Sequence, residues 1–344
     1  MKNDSARYRL TMVKLIRVVQ FGVGPIGARI AKLAHEKGLS IVGAIDIDPD
    51  KVGKDLGEVI GTERLDVRVS NDARSTLRRA RPDVVFHATT SSLRLAMGQI
   101  EIVAKAGADM ISTCEELVYP KAQHPELAKR IDRVAKRYGI TVLGTGVNPG
   151  FVMDTLVIAL SGVCQEVKRI KAIRMMDAST RRLPFQRKIG AGMTVEQFKA
   201  KVAQGGFGHV GLRESLSMIA EAIGWKLDEV KHSIEPVIAD TACQTEFFKV
   251  EPNQVAGLRQ IVEGMRGGEP VIILDFRAYV GARDPKDRII IEGLPPIDLT
   301  VQAGIHGDYA TAAIAVNAVP RVIAHCPGLV TMKDIPVPAA WLAR

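Results

Sequence analysis

The chain has 344 residues, of which 47% are hydrophobic and 25% are charged. This composition is that of a globular protein large enough for two domains, and it excludes a disordered or fibrous chain. The formal net charge of +9 is spread along the chain without an aromatic-rich motif, so we expect a basic surface that attracts anionic cofactors and not a nucleic-acid-binding protein.

Residues 1–14 are polar and lack the apolar core of a signal peptide, so we expect an N-terminal extension and a cytoplasmic protein. No apolar run approaches the roughly 18 residues that span a bilayer, and no membrane association is expected. The four cysteines are widely scattered and form no CxxC pair. They predict neither a disulfide framework nor a metal site.

Residues 15–150 alternate between predicted strands and helices. A strand at Leu15–Phe21, a helix at Ala28–Glu36 and a strand at Ser40–Ile45 form one βαβ unit. The alternation predicts an α/β fold class with a Rossmann doubly wound parallel sheet. Further along the chain, strands are predicted at Asp83–Ala88, Asp109–Thr113 and Ile140–Leu143, and helices at Leu93–Ala106 and Glu126–Tyr138.

A glycine-rich loop joins the first strand to the first helix. Its sequence is G-x-G-x-x-G, and this context distinguishes a dinucleotide-binding loop from a glycine turn without a ligand. The first glycine permits the tight turn, the second lets the backbone approach a pyrophosphate, and the third allows close packing of helix on strand. The cofactor-binding residues predicted here are Gly22, Gly24, Pro25, Ile26 and Gly27.

Asp46 ends the second strand and lies nineteen positions after Gly27. A carboxylate there is expected to accept hydrogen bonds from the adenosine ribose and to repel a 2′-phosphate, so NAD is favoured over NADP. Lys51 and Lys54 follow closely and offset part of that repulsion, which leaves NADP possible. The alternative is that Asp46 is a simple turn residue.

Three hydroxyl side chains, Thr89, Thr90 and Ser91, follow the strand at Asp83–Ala88. Ligands bind at the carboxyl ends of strands in open α/β sheets, so these hydroxyls are candidates to line the nicotinamide side of a cofactor. They are equally well placed to cap the helix that begins at Leu93. The two interpretations are compatible.

An acidic pair, Glu115 and Glu116, follows the next strand. Adjacent residues in an extended segment point in opposite directions, so only one carboxylate is expected to face the cofactor crevice. In a closed pocket that carboxylate has a raised pKa and can exchange protons near neutral pH. The alternative is that the pair serves the N-terminus of a helix, where acidic residues are favoured.

Five segments of the chain resemble the 2,4-diaminopentanoate dehydrogenase family. This family is related to dihydrodipicolinate reductase and includes native NAD(P)-dependent amine dehydrogenases. The resemblance extends over most of the chain from about Leu15, and the Cys-Glu-Glu-Leu and Val-Asn-Pro-Gly segments are its most specific parts. The five segments are Phe21–Gly27, Gly43–Gly57, Ser112–Pro120, Gly144–Gly150 and Gly304–Pro320.

The resemblance implies reversible oxidative deamination, or reductive amination, of an amine or a diamino acid such as 2,4-diaminopentanoate, with ammonia released. It implies that Glu115 handles protons, with Glu116 in reserve, and that Asn148 and Pro149 lie beside the nicotinamide. It also implies a homodimer. Another C=N or C=O reductase of the same group, and an NAD-binding sensor without turnover, are the alternatives.

The second half of the chain changes pattern at about residue 151. Residues 151–305 are expected to form an α+β domain for substrate binding and dimerisation. The resemblance implies that residues 306–344 return to the Rossmann domain through a final helix at about Tyr309–His325. The strands predicted in the α+β domain are Val167–Met175, Ile234–Asp240, Val271–Val280 and Arg288–Glu292.

A basic group in this half lies in a Gly/Pro-containing region that is predicted to be a loop: Arg181, Arg182, Arg187 and Lys188. A carboxylated substrate needs a cationic partner, but charge runs are more often simply solvated. His209 and His306 stand beside glycines in predicted loops. A position of His306 near the active site is one interpretation, but a lone histidine is more often structural, and that is what we expect.

Overall fold

The computed structural model describes residues 15–247 and 249–341, so the predicted extension at residues 1–14 lies outside the described part. Six short strands and five helices alternate between residues 15 and 150, and the predicted alternation is confirmed. The strands are β1 (Arg17–Phe21), β2 (Ser40–Ile45), β3 (Val69–Ser70), β4 (Val84–His87), β5 (Asp109–Ser112) and β6 (Thr141–Gly144). The helices are α1 (Pro25–Glu36), α2 (Leu56–Ile60), α3 (Ala73–Ala80), α4 (Leu93–Lys105) and α5 (Pro125–Tyr138). Of these elements, β3, α2 and α3 were not predicted.

Between Thr155 and Gln302 the described residues form four helices and eight strands, several of which were not predicted. The helices are α6 (Thr155–Ser161), α7 (Leu183–Lys188), α8 (Val195–Ala203) and α9 (Leu212–Ala222). The strands are β7 (Glu166–Asp177), β8 (Glu229–Ile238), β9 (Cys243–Gln244), β10 (Lys249–Val250), β11 (Val255–Arg266), β12 (Glu269–Tyr279), β13 (Lys286–Leu294) and β14 (Ile297–Gln302). Six of these strands form one mixed sheet in the order β14-β13-β7-β12-β11-β8.

The chain ends with α10 (Gly307–Asn317), α11 (Val319–Ile323) and β15 (Gly328–Val330). The single final helix predicted at Tyr309–His325 is therefore wrong: it is broken at Ala318, just before Pro320, which has no backbone N–H to continue the hydrogen-bond ladder. No helix in the described ranges is long and apolar enough to cross a membrane.

The first sheet has seven parallel strands in the order β15-β6-β5-β4-β1-β2-β3. Both faces are covered, as a sheet of this kind requires. Val18 of β1 packs in one cluster with Ile30 of α1 and Ala315 of α10. Its neighbour Val19 packs in the opposite cluster with Ile100 of α4, because successive side chains of a strand point to opposite faces.

Candidate active site

A cavity of about 440 Å³ lies where the carboxyl ends of the parallel strands meet the mixed sheet. This is the edge at which open α/β sheets bind ligands. Loops from the parallel sheet contribute Gly24, Pro25, Ile26, Ala88, Thr89, Thr90, Ser91, Thr113, Glu115, Thr145, Gly146, Val147, Asn148 and Pro149. The second half contributes Arg174, Met176, Arg181, Arg182, Pro184, Phe185, Lys188, His209, Phe276, Gly307, Asp308 and Thr311.

The glycine loop has the geometry of a phosphate cradle. Gly22 adopts a φ of +91°, and a Cβ on Gly27 would lie 1.8 Å from the carbonyl oxygen of Gly22, so neither position admits a side chain. A Cβ on Gly24 would meet nothing within 4 Å. Gly24 therefore borders open space at the N-terminus of α1, whose first N–H groups have no helical partners. These residues fit a dinucleotide pyrophosphate.

Asp46 follows β2, and its carboxylate is hydrogen-bonded to the glycine loop. Its Oδ2 accepts a hydrogen bond of 2.6 Å from the backbone N–H of Val23, and its Oδ1 accepts one of 2.9 Å from that of Asp48. The Lys51 ammonium lies 3.9 Å from the Asp46 carboxylate and 2.8 Å from that of Asp48. A cation thus stands beside the residue that is expected to select the cofactor.

The three predicted hydroxyl residues after β4 all line the cavity. The Thr89 hydroxyl is 2.7 Å from Oε1 of Gln99, and Thr90 Oγ1 accepts a hydrogen bond of 3.1 Å from the backbone N–H of Ser92. The Ser91 hydroxyl bonds to the Glu115 carboxylate. None of the three caps the first N–H of α4, which is bonded by Glu116 instead.

Glu115 begins a 3₁₀ turn, Glu115–Leu117, and not the extended segment that was predicted. Its side chain lines the cavity. Burial raises the pKa of the Glu115 carboxyl above its ordinary value, and the nearby charge of Glu116 acts in the same direction. The bond from Ser91 and the charge of Lys188 oppose this shift.

Glu116 leaves the turn in a different direction and is absent from the cavity lining. Its Oε2 accepts a hydrogen bond of 2.7 Å from the backbone N–H of Leu93 and lies 3.1 Å from Nε2 of His124. The acidic pair therefore divides: one carboxylate faces the cavity and the other contacts a helix N-terminus.

Asn148 and Pro149 lie in the loop after β6, and both line the cavity. Nδ2 of Asn148 is 3.1 Å from Nε2 of His209. A Cβ on Gly211 would lie 2.4 Å from the Pro149 ring, so the start of α9 packs closely beneath the loop. Asp154 completes the loop by accepting a hydrogen bond of 2.7 Å from the N–H of Gly150.

His209 lines the cavity, which the sequence did not predict. Its ring stacks on that of Phe276 with centroids 4.5 Å apart and planes inclined by 15°. Burial lowers the pKa of His209 to about 3, and the positive charges of Lys188 and Arg174 add to this, so the imidazole is neutral at neutral pH. The only signal in the sequence was a histidine flanked by turn-forming glycines.

The basic residues of the cavity are of two kinds. Arg174 is paired with Asp287 at 2.7 Å, and Arg181 is paired with Asp308 at 2.8 Å. Arg182 and Lys188 line the cavity but make no ion pair within residues 15–247 and 249–341. The predicted loop is in fact the short helix α7, preceded by Arg182.

Arg187, which belongs to the same basic run, is not among the cavity residues. Nε2 of His306 is 3.3 Å from the Arg181 guanidinium, and His306 precedes α10 without lining the cavity. The cavity thus combines a carboxyl whose pKa is raised, a neutral imidazole and two cations that form no ion pair in the described part of the chain. Such a set can handle protons and hold an anionic group.

Comparisons with known proteins agree over nearly the whole chain. Residues 151–344 match the model of the 2,4-diaminopentanoate dehydrogenase C-terminal domain, and residues 16–133 match that of the dihydrodipicolinate reductase N-terminus. A 2,4-diaminopentanoate dehydrogenase of Acetoanaerobium sticklandii is 36% identical over 94% of each chain. An amine dehydrogenase of Streptomyces virginiae is 27% identical over 94% of this chain and 97% of the relative.

One solved structure has the same architecture throughout. It is the amine dehydrogenase from Mycobacterium smegmatis, which aligns with a TM-score of 0.85 at 28% identity and covers 95% of this chain and 97% of that one. The two proteins therefore share one fold over nearly the whole of both chains.

Proposed function

The chain belongs to the 2,4-diaminopentanoate dehydrogenase family, and on this premise we propose that it catalyses the reversible oxidative deamination of an amine-bearing carbon with a nicotinamide cofactor. The observation that carries the proposal is the position of Glu115, whose enclosed carboxyl faces the cavity opposite the second half of the chain. The relatives named above are dehydrogenases that act on amine groups.

Glu115 is the proposed proton-handling residue. In the deamination direction its carboxylate takes a proton from the water that adds to the iminium carbon, and in the amination direction it returns that proton. The raised pKa of Glu115 suits this exchange, because a general acid or base works best when its pKa is near the working pH. The nicotinamide supplies the hydride chemistry when it is bound.

The proposed cofactor site extends from the glycine loop to the Asn148–Pro149 loop. The N–H groups at the start of α1 would hold the pyrophosphate beside Gly24, Pro25 and Ile26. Asp46 would hold the adenosine ribose, which favours NAD, whereas Lys51 keeps some capacity for the 2′-phosphate of NADP. At the other end, the cofactor would pass Thr89, Thr90, Ser91, Asn148 and Pro149.

The proposed substrate carries a carboxylate in addition to its amine. Arg182 and Lys188 line the cavity and form no ion pair within 4.0 Å among the described residues, although the charge of Lys188 acts on Glu115. The other two arginines of the cavity are paired. A cation without a partner in a partly enclosed site is stabilised by an anionic ligand. A diamino acid such as 2,4-diaminopentanoate fits this arrangement better than a simple amine.

A homodimer is proposed, with the outer face of the mixed sheet as its interface. Ile173, Ile261 and Ile273 lie on this face of β7, β11 and β12, and all three are only partly buried in the single chain. Asp275 is held between Arg259 and Arg277 at the centre of the same face. Ile261→Arg should convert the dimer to a monomer in sedimentation equilibrium, whereas a monomeric wild type would contradict the proposal.

The organisation of the chain into functional parts is also a proposal. Residues 15–150 would bind the cofactor, residues 151–305 would bind the substrate and form the dimer, and residues 306–344 would complete the cofactor domain.

The test of the proposed activity measures NADH oxidation with ammonia and a panel of ketones, and NAD reduction with 2,4-diaminopentanoate. Wild type and Glu115→Gln are compared, with cofactor binding followed by the fluorescence of NADH. We expect ammonia-dependent turnover that falls by at least about 100-fold in the variant while NADH still binds. Ketone reduction without ammonia would instead support a C=O reductase, and NADH binding without any turnover would support a sensor.

A further inference from the structure

The acidic residue next to the proposed proton-handling group has a distinct role, which rests on the proposed function. Glu116 touches three elements of the parallel-sheet half. It belongs to the 3₁₀ turn Glu115–Leu117, its Oε2 accepts a hydrogen bond of 2.7 Å from the first N–H of α4, and the same oxygen lies 3.1 Å from Nε2 of His124. His124 immediately precedes α5.

The turn is also tied to the loop after β4 by its backbone. The N–H of Glu116 lies 3.4 Å from the carbonyl oxygen of Ser91, and Sγ of Cys114 donates to the same oxygen at 3.2 Å. These contacts join the residues on both sides of Glu115 to the loop after β4. The position of Glu115 in the cavity therefore depends on a set of bonds in which Glu116 is the only charged acceptor that we find in the described residues.

The environment of Glu116 does not suit proton exchange with a substrate. Its carboxylate is outside the cavity lining, and one of its oxygens is occupied by both a helix N–H and an imidazole. We infer that Glu116 is a positioning residue: its carboxylate, held by His124, fixes the turn that presents Glu115 to the cavity, and it transfers no proton itself.

The experiment compares Glu116→Gln, Glu116→Ala and Glu115→Gln in the full chain, with Glu126→Gln as the matched control. Glu126 is an exposed residue of α5 that pairs only with Lys129 in the described chain, so its variant removes the same charge without touching the turn. Glutamine at position 116 can still accept the hydrogen bond from Leu93, whereas alanine cannot. Thermal unfolding is measured for every variant, so that the loss of folded protein is separated from the loss of rate.

We expect Glu116→Gln to keep at least about a tenth of wild-type kcat. Glu116→Ala should lower kcat by about 10- to 100-fold, because the turn loses its bond to the first N–H of α4 and the Glu115 carboxyl is then misplaced. Glu115→Gln should lose at least about 100-fold. If Glu116→Gln is as inactive as Glu115→Gln while folded, Glu116 handles protons and the inference is overturned. If Glu116→Ala keeps wild-type kcat, the positioning role is overturned.

The pH dependence of kcat is a second measurement, which a purely structural role of Glu116 would leave unchanged. The charged groups that face Glu115 are Glu116 on its own turn and Lys188 on α7. Because the Glu116 charge raises the pKa of Glu115, the limb of the kcat profile that reports Glu115 should move to lower pH in Glu116→Gln and stay in place in Glu126→Gln. An unmoved limb in Glu116→Gln contradicts the inference.

His124→Gln tests whether His124 acts through Glu116. The substitution should lower kcat in the wild-type background and have no further effect in the Glu116→Ala background, because the residue through which it acts is then missing. The comparison is a double-mutant cycle, which measures the coupling between the two residues. Equal losses in both backgrounds would exclude a role through Glu116. If Glu115→Gln proves active, the proposed function itself fails, and that outcome is independent of every Glu116 variant.

Discussion

The carboxylate of Asp46 accepts a 2.6 Å hydrogen bond from the backbone N–H of Val23, so the residue at the end of β2 supports the glycine loop from inside. The proposed selection of NAD therefore depends on a side chain that also holds the phosphate cradle in shape. The two roles of Asp46 can be separated by the substitution Asp46→Asn. Asparagine lacks the negative charge that repels a 2′-phosphate, but its side-chain oxygen can still accept the hydrogen bond from Val23.

Asp46→Asn is expected to shift cofactor preference toward NADP by about tenfold or more in the ratio of kcat/KM values, because the repulsion of a 2′-phosphate is removed while Lys51 remains. The ratio is measured with NAD and NADP under the same conditions. Asp48→Asn is the control, since Asp48 pairs with Lys51 but does not contact the glycine loop. An unchanged ratio in Asp46→Asn would show that this carboxylate does not meet the ribose.

Gly24→Ala is expected to weaken cofactor binding at least about tenfold without unfolding the protein. A Cβ at Gly24 meets no protein atom within 4 Å, so the fold tolerates it, but the methyl group occupies the approach to the pyrophosphate. Binding is measured by titration with NADH, and stability by thermal unfolding. Gly98→Ala, also free of contacts but in the middle of α4, should leave binding unchanged. Equal binding by the wild type and Gly24→Ala would contradict the assigned cradle.

Lys188→Met is expected to raise the KM for a carboxylated amine by about tenfold, with little change for a simple amine, because one charge-assisted contact is lost. Arg187→Met is the matched control: it removes a neighbouring positive charge from the same helix outside the cavity. The kinetic comparison uses both substrates with both variants. A similar rise in KM for the two substrates would indicate that Lys188 acts on the cavity as a whole and not on a carboxylate.

His87 should make stability depend on pH. It is fully buried, with Nδ1 2.8 Å from Oγ of Ser112 and Nε2 2.7 Å from Oε1 of Gln99, and burial lowers its pKa from 6.5 to about 4. Between these values the unfolded chain binds a proton that the folded chain excludes, so stability falls as the pH drops below about 6.5. We expect this residue to account for about 2 kcal/mol between pH 7 and pH 5.

The measurement is urea unfolding at both pH values for the wild type and for His87→Gln. Whatever its stability at either pH, the free energy of unfolding of the variant should change less between the two pH values than that of the wild type. A difference between the two proteins that does not vary with pH would contradict the assignment of a neutral buried imidazole.

Most of the first half of the fold followed from the sequence because its signals are local, whereas the short elements α2, β3 and α3 between β2 and β4 were not predicted. Continuous apolar runs marked β1 and β2, and the glycines between them had a mechanical reason to be there. Strand β11 escaped prediction because Val255, Leu258 and Ile261 recur every third residue, a spacing that resembles a helix. Its strand conformation comes from pairing with β8 and β12 on both sides, which no window of sequence contains.

The candidate site was predicted in part for the same reason. The strand-end rule selected Glu115, which lies just beyond β5, and the family resemblance selected Asn148. His209 was missed because its environment is made by Phe276, Gln260 and Asn148, which are distant in sequence. The prediction that only one of Glu115 and Glu116 faces the cavity is confirmed, but the reason given for it was wrong. The two side chains diverge because they lie in a 3₁₀ turn, and not because they alternate along an extended segment.

The place of β15 in the parallel sheet has a consequence for biosynthesis. β15 pairs with β6, and α10 packs against α1, so the cofactor half is finished by residues that are translated after the mixed sheet is complete. An emerging chain that has reached residue 150 still exposes the edge of β6 and the apolar face of α1. The nucleotide-binding half therefore cannot complete its sheet before β15 has left the ribosome.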